Sequence, residues 1–130
     1  MKIETDKSEV NKPAVEIFAF LSDFNNLQKL MPPQVSNWQS TDSECSFNIS
    51  GMASIGMKVA EKIPNSLIKV SSHGKVPFAF TLDMQIAEIS PSQCAVQLIF
   101  ESGVNPMMAM MIEKPLKNFF NYLAMKVKEV

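Results

Sequence analysis

Between Val35 and Ser102 apolar residues recur at every second position, and after Asn105 they recur at every third or fourth. That change of period constrains the chain more than any other feature. Period two puts successive side chains on opposite faces of a strand, whereas a 3.6-residue period gathers them on one stripe of a helix. The strand runs are Cys45, Phe47 and Ile49 in CSFNIS; Ile55, Met57, Val59 and Ile63 in SIGMKVAEKI; and Ile68 and Val70 in SLIKVSSHG. FAFTLDMQIAEI carries Phe78, Phe80, Leu82, Met84 and Ile86, and QCAVQLIFES carries Cys94, Val96, Leu98 and Phe100. Turn-forming residues separate the runs at Ser50-Gly51, Pro64-Asn65, His73-Gly74 and Ser90-Pro91-Ser92. Short connections of this kind imply hairpins and an antiparallel meander. One face of that sheet is apolar and must be covered.

The C-terminal segment supplies the cover. Asn105 suits an N-cap and Pro106 the first helical position. Met108, Ile112, Leu116, Phe119 and Leu123 then form one stripe, with Met111, Pro115 and Tyr122 beside it and Phe120 on its other flank. Pro115 predicts a kink or a restart. Upstream, residues 2–10 read as a strand. Asn11 or Lys12 is placed to cap a helix that begins at Pro13 and turns Ile17, Phe18 and Leu21 to one side. Asp23 caps a second short helix, which Pro32-Pro33 ends. The expected class is α+β: one domain over residues 1–130, with a curved antiparallel sheet of about six to seven strands around a long C-terminal helix and two short helices after the first strand.

Composition narrows the function classes. The formal charge is -1, and the chain has 12 lysines and no arginine. Arginine is the usual bidentate reader of phosphates and guanine edges, so nucleic-acid recognition is disfavoured. There is no glycine-rich phosphate loop among the four glycines, and one histidine gives no credible Ser-His-Asp or Cys-His arrangement. That single His73 also makes a histidine-based metal site a poor reading, and no cofactor is expected. Cys45 and Cys94 lie in strand-like runs and read as small buried hydrophobes. No apolar run is long enough for a membrane span, and the charged start is not a secretory signal, so the expected location is cytoplasmic.

The stretch VNKPAVEIFAFLSDFNNLQKLMPP, with Pro13, Phe18, Leu21, Asp23, Leu27, Leu30 and Pro32, and the closing NPMMAMMIEKPLKNFFNYLAMKV resemble the START-like, or helix-grip, superfamily. This group is also known as the polyketide cyclase/dehydrase and lipid-transport family. The resemblance covers essentially the whole chain and rests on packing and capping positions rather than on catalytic ones. It implies a deep, mostly apolar cavity between sheet and long helix, used in the family for lipids, sterols, polyketides or plant hormones. Lining residues would then be Trp38, Phe47, Ile49, Ile55, Met57, Val59, Phe80, Leu82, Met84, Met108, Met111, Ile112, Leu116 and Phe119.

Three functions fit. The first is binding of a hydrophobic small molecule without catalysis, oriented by Glu61 or by the polar tips of Trp38 or Tyr122. The second is a cyclase- or dehydratase-like enzyme. If the alternation through Val59 continues, Glu61 faces the covered side and is the one acid/base candidate; if the strand ends or bulges there, it reaches water. His73, beside a turn glycine, reads more simply as a solvated residue. The third is an interaction module. Met107 and Met110 fall off the covered stripe, and an exposed apolar patch marks a contact surface. Expected partners are a hydrophobic small molecule, with transient membrane contact and a monomeric or homodimeric state both open.

Overall fold

The computed structural model describes residues 1–130. The strands are β1 (Lys2–Glu4), β2 (Ser8–Val10), β3 (Val35–Ser40), β4 (Glu44–Ile49), β5 (Ala53–Ile63), β6 (Leu67–Ser72), β7 (Phe80–Ser90) and β8 (Gln93–Ser102). The helices are α1 (Ala14–Ser22), α2 (Phe24–Leu27) and α3 (Pro106–Lys126), with 3-10 turns at Gln28–Leu30 and Val127–Glu129. All pairings are antiparallel, in the order β1-β8-β7-β6-β5-β4-β3, with β2 also on β8. The α+β class and the long helix across a sheet built from hairpins are as the two periodicities require.

The inward positions make one core. Phe47, Ile55, Met57, Ile68, Val70, Phe80, Leu82, Met84, Ile86, Cys94, Val96, Leu98 and Phe100 are all buried. Against them lie Ala14, Ile17 and Leu21 of α1, and Leu116, Phe119, Phe120, Leu123 and Ala124 of α3. Burying each large apolar side chain contributes roughly 1.5–3 kcal/mol relative to leaving it in water. The buried face of α3 is turned toward Phe120 and Ala124 compared with the stripe read from spacing. Asn105 caps the helix as expected, its Oδ1 accepting from Met108 N at 2.8 Å. The helix runs unbroken through Pro115, which has no N–H to give to the Met111 carbonyl.

Two local expectations change, and one open alternative closes. The N-terminal strand is two pieces: Glu4 pairs with Ile99 and Ser8 with Val96, so Thr5–Lys7 bulge out by one residue. Buried Thr5 repairs the ladder by accepting from Leu98 N through Oγ1 at 3.0 Å. Helix α1 is capped neither by Asn11 nor by Lys12; Pro13 itself holds the extended cap position (φ -62, ψ 149) without a side-chain bond. At α2 the expectation holds, with Asp23 Oδ1 accepting from Asn25 N at 3.0 Å. In β5 it is the bulged alternative for Glu61 that holds. A bulge between Val59 and Glu61 leaves Ala60 over and sets Glu61 opposite Lys69, on the exposed face of the sheet.

Candidate functional site

Helix α3 is anchored unevenly. Every buried residue on it lies at or beyond Leu116. Before Pro115, Met108, Ala109 and Ile112 are half-buried, whereas Met107, Met110 and Met111 are 76%, 84% and 74% exposed. These are the three most exposed large apolar side chains of the molecule. The first half of the helix therefore overhangs the sheet instead of packing into it.

Beneath the overhang is a groove of about 310 Å³. Met107, Met108, Met111 and Ile112 form its helix wall. Met52 in the β4–β5 turn and Ala53 at the start of β5 close it on one side, and Pro77 and Phe78 in the segment before β7 on another. The remaining lining residue is Asn105, whose side-chain oxygen is already engaged in the cap. No carboxylate, imidazole or lysine lines this space.

Behind the groove the interior is occupied. Phe78 meets Phe80 at 6.1 Å between ring centroids and Phe100 edge-on at 6.4 Å. Phe100 then contacts Phe120 at 5.0 Å, and Phe120 contacts Phe119 at 5.3 Å. The run continues through Phe47 at 6.1 Å to Trp38 at 5.2 Å. A chain of seven rings thus crosses the middle of the space between sheet and helix, where a deep cavity was expected. The opening is at one end, under the first turns of α3.

The sequence-derived candidates separate accordingly. Met108, Met111 and Ile112 line the groove. Met111 does so while largely exposed, at the edge of the stripe instead of under it. Phe47, Ile55, Met57, Phe80, Leu82, Met84, Leu116 and Phe119 are buried core, and Trp38, Ile49 and Val59 are half-buried around it. The indole N–H of Trp38 donates to Ser40 Oγ at 3.0 Å, and that hydroxyl donates to Asn25 Oδ1 at 2.6 Å. Its polar tip is therefore committed to the β3 edge. Tyr122 is half-buried on the anchored part of α3. Glu61 lies on the opposite face of the sheet from the groove. His73 is exposed at the end of the β6 hairpin, paired with Glu44 at 3.2 Å, as the solvated-turn reading has it.

Met52, Ala53, Pro77 and Phe78 were not expected at the site. The period-two pattern puts Phe78 in the β7 alternation, but the strand starts at Phe80, and the break turns Phe78 toward the opening. Pro77 just before it was the available signal, since proline has no N–H to give to a sheet ladder. Met52 follows Gly51, whose φ of +76° makes the turn that brings the next residue around. Cys45 and Cys94 are buried and unpaired, and burial pushes the Cys45 thiol up to about 12. That thiol is a packing group, not a nucleophile. No helix is long and apolar enough to cross a membrane.

No family model matches the chain, and neither does any curated protein. Solved structures do match its fold. A START superfamily protein from Mycobacterium smegmatis superposes with a TM-score of 0.69 at 14% identity, covering 98% of this chain and 97% of the other. A norcoclaurine synthase from Thalictrum, solved as a point mutant with a transition-state analogue, gives 0.72 at 14% identity, covering 99% and 94%. A protein from Thermus thermophilus gives 0.77 at 10% identity, covering 99% and 95%. At such identities the likeness is one of fold, and that fold is the START-like helix grip.

Proposed function

We propose that this START-like helix-grip domain binds a hydrophobic small molecule in the groove beneath the first half of α3. The observation that carries the reading is the lining itself: seven hydrophobic residues, a proline and one amide whose oxygen is already bonded. Each exposed methionine forgoes roughly 1.5–3 kcal/mol of burial, and an apolar ligand seated there restores part of it. The volume of about 310 Å³ suits a small ring system or a short acyl segment.

The half of α3 before Pro115 acts as an adjustable wall in this reading. Pro115 removes one rung of the hydrogen-bond ladder at the boundary between loose and anchored halves. Methionine side chains have three rotatable bonds and repack around ligands of different outline. The groove holds no group able to move a proton, which favours binding over a cyclase- or dehydratase-like reaction there. The experiment is native mass spectrometry of gently purified protein with organic extraction, alongside the Ile112→Trp variant, whose indole fills the groove. A hydrophobic adduct on the parent that is lost from the variant supports the reading. A parent protein that stays clean after incubation with fatty acids and sterols overturns it.

A second reading is favoured by Met110, which is 84% exposed and does not line the groove. In that reading the same helix face is a protein contact. Concentration-dependent association that Met110→Gln abolishes, without change in adduct formation, supports it.

A further inference from the structure

Four of the chain's ten methionines, Met52, Met107, Met108 and Met111, stand around one groove although they come from two distant segments. Apolarity alone does not account for this choice. Leucine or isoleucine supplies the same area, and Met107 and Met111, 76% and 74% exposed, fill no core gap. What methionine adds at these positions is a thioether sulfur on a flexible stem. We propose that the groove is a binding site for a soft monovalent cation, Cu(I), ligated by the sulfurs of Met52, Met107, Met108 and Met111.

The placement suits such a site. Met111 is three residues from Met108 and four from Met107, so the three share adjacent positions on successive turns of α3. Met52 faces them from the β4–β5 turn. Thioethers are soft, neutral donors that select Cu(I) over hard or borderline dications. A dication would need anionic ligands to offset its lost hydration, and none lines the groove. Zn(II), Mg(II) and Ca(II) are therefore excluded by the same donor set that admits Cu(I). Neither cysteine competes in the folded chain, because both are buried in the core. His73, the sole imidazole, stands at a different depression lined by Gln39, Ser40, Thr41, Glu44, Cys45 and Ser46. The inference uses the groove but does not rest on its taking a hydrophobic ligand.

The test titrates Ag(I), a redox-stable stand-in for Cu(I), into protein labelled at its methionine methyl groups. Saturable one-to-one shifts are expected at Met52, Met107, Met108 and Met111, with Met57 and Met84 unmoved in the core. Cu(I) is then expected to be withdrawn from a chromophoric chelator by the parent. M52L/M107L/M108L/M111L is expected to lose both responses while the Met57 and Met84 methyl resonances keep their folded positions. The exposed pair M107L/M111L guards against misfolding of the fourfold variant and is expected to weaken Ag(I) binding. Absence of methyl shifts overturns the proposal. So does Ag(I) binding that is undiminished in the leucine variants, or Zn(II) binding as tight as that of Ag(I).

Discussion

Truncating Phe119 to alanine asks most directly whether the interior is packed or open. The side chain is 8% exposed and sits between Phe47 at 6.1 Å and Phe120 at 5.3 Å. A buried Phe→Ala change costs about 3–5 kcal/mol through lost transfer energy and the cavity left behind. The two ring contacts place Phe119→Ala in the upper part of that range, because aromatic pairs add about 0.5–1.5 kcal/mol each. Against a total stability of about 5–15 kcal/mol, the variant remains folded but marginal. Urea unfolding followed by the fluorescence of Trp38, which stacks on Phe47 in the same ring chain, measures the loss. A loss below about 1 kcal/mol would refute the reasoning, since it means Phe119 lines space that is already open. The complementary expectation is that an apolar ligand stabilises Phe119→Ala more than the parent, by occupying the new void.

Three further outcomes follow. Gly56→Ala is expected to destabilise by more than about 2 kcal/mol in thermal unfolding, because its Cβ collides with the His73 carbonyl oxygen on rigid backbone; a neutral result contradicts the β5–loop packing. Replacing Met107, Met110 and Met111 together by glutamine is expected to change urea stability by less than about 0.5 kcal/mol per site, yet to abolish hydrophobic adducts in native mass spectrometry. The Cys45 thiol, raised from 9.0 to about 12 by burial, is expected to resist alkylation at pH 8 until the chain unfolds. With the folded value above the unfolded one, the associated stability is whole below about pH 9 and falls as pH rises toward 12, and Cys45→Ala removes that part of the alkaline loss.

Much of this architecture was legible because burial imposes a period. Cys94, Val96, Leu98 and Phe100 alternate without interruption, and all four are buried. The cap and start of α3 were legible because Asn105 and Pro106 satisfy the helix end by local chemistry alone. Register was legible only in part. An unpaired Ala60 reverses every later side chain of β5; the alternation in SIGMKVAEKI leaves a bulge open, and only the cost of burying an unpaired carboxylate at Glu61 favours it. The bulge at Thr5–Lys7 escaped; there a single hydroxyl compensates for the lost ladder bond. The groove was legible only from one side. Helical spacing brought out Met108, Met111 and Ile112, but Met52 and Phe78 reach it through turns whose tertiary placement carries no periodic signal. Nor can apolar alternation tell a lined cavity from a packed core, since Phe80, Phe100 and Phe119 satisfy both.

The ten methionines provide the most direct test of the central claim, that an apolar ligand occupies the groove beneath the first half of α3. Methyl-labelled protein is titrated with a medium-chain fatty acid and the methionine methyl resonances are followed. The account predicts saturable shifts at Met52, Met107, Met108 and Met111, with Met57 and Met84 unmoved. Shifts centred on Met57 and Met84, or none up to the solubility of the ligand, contradict it.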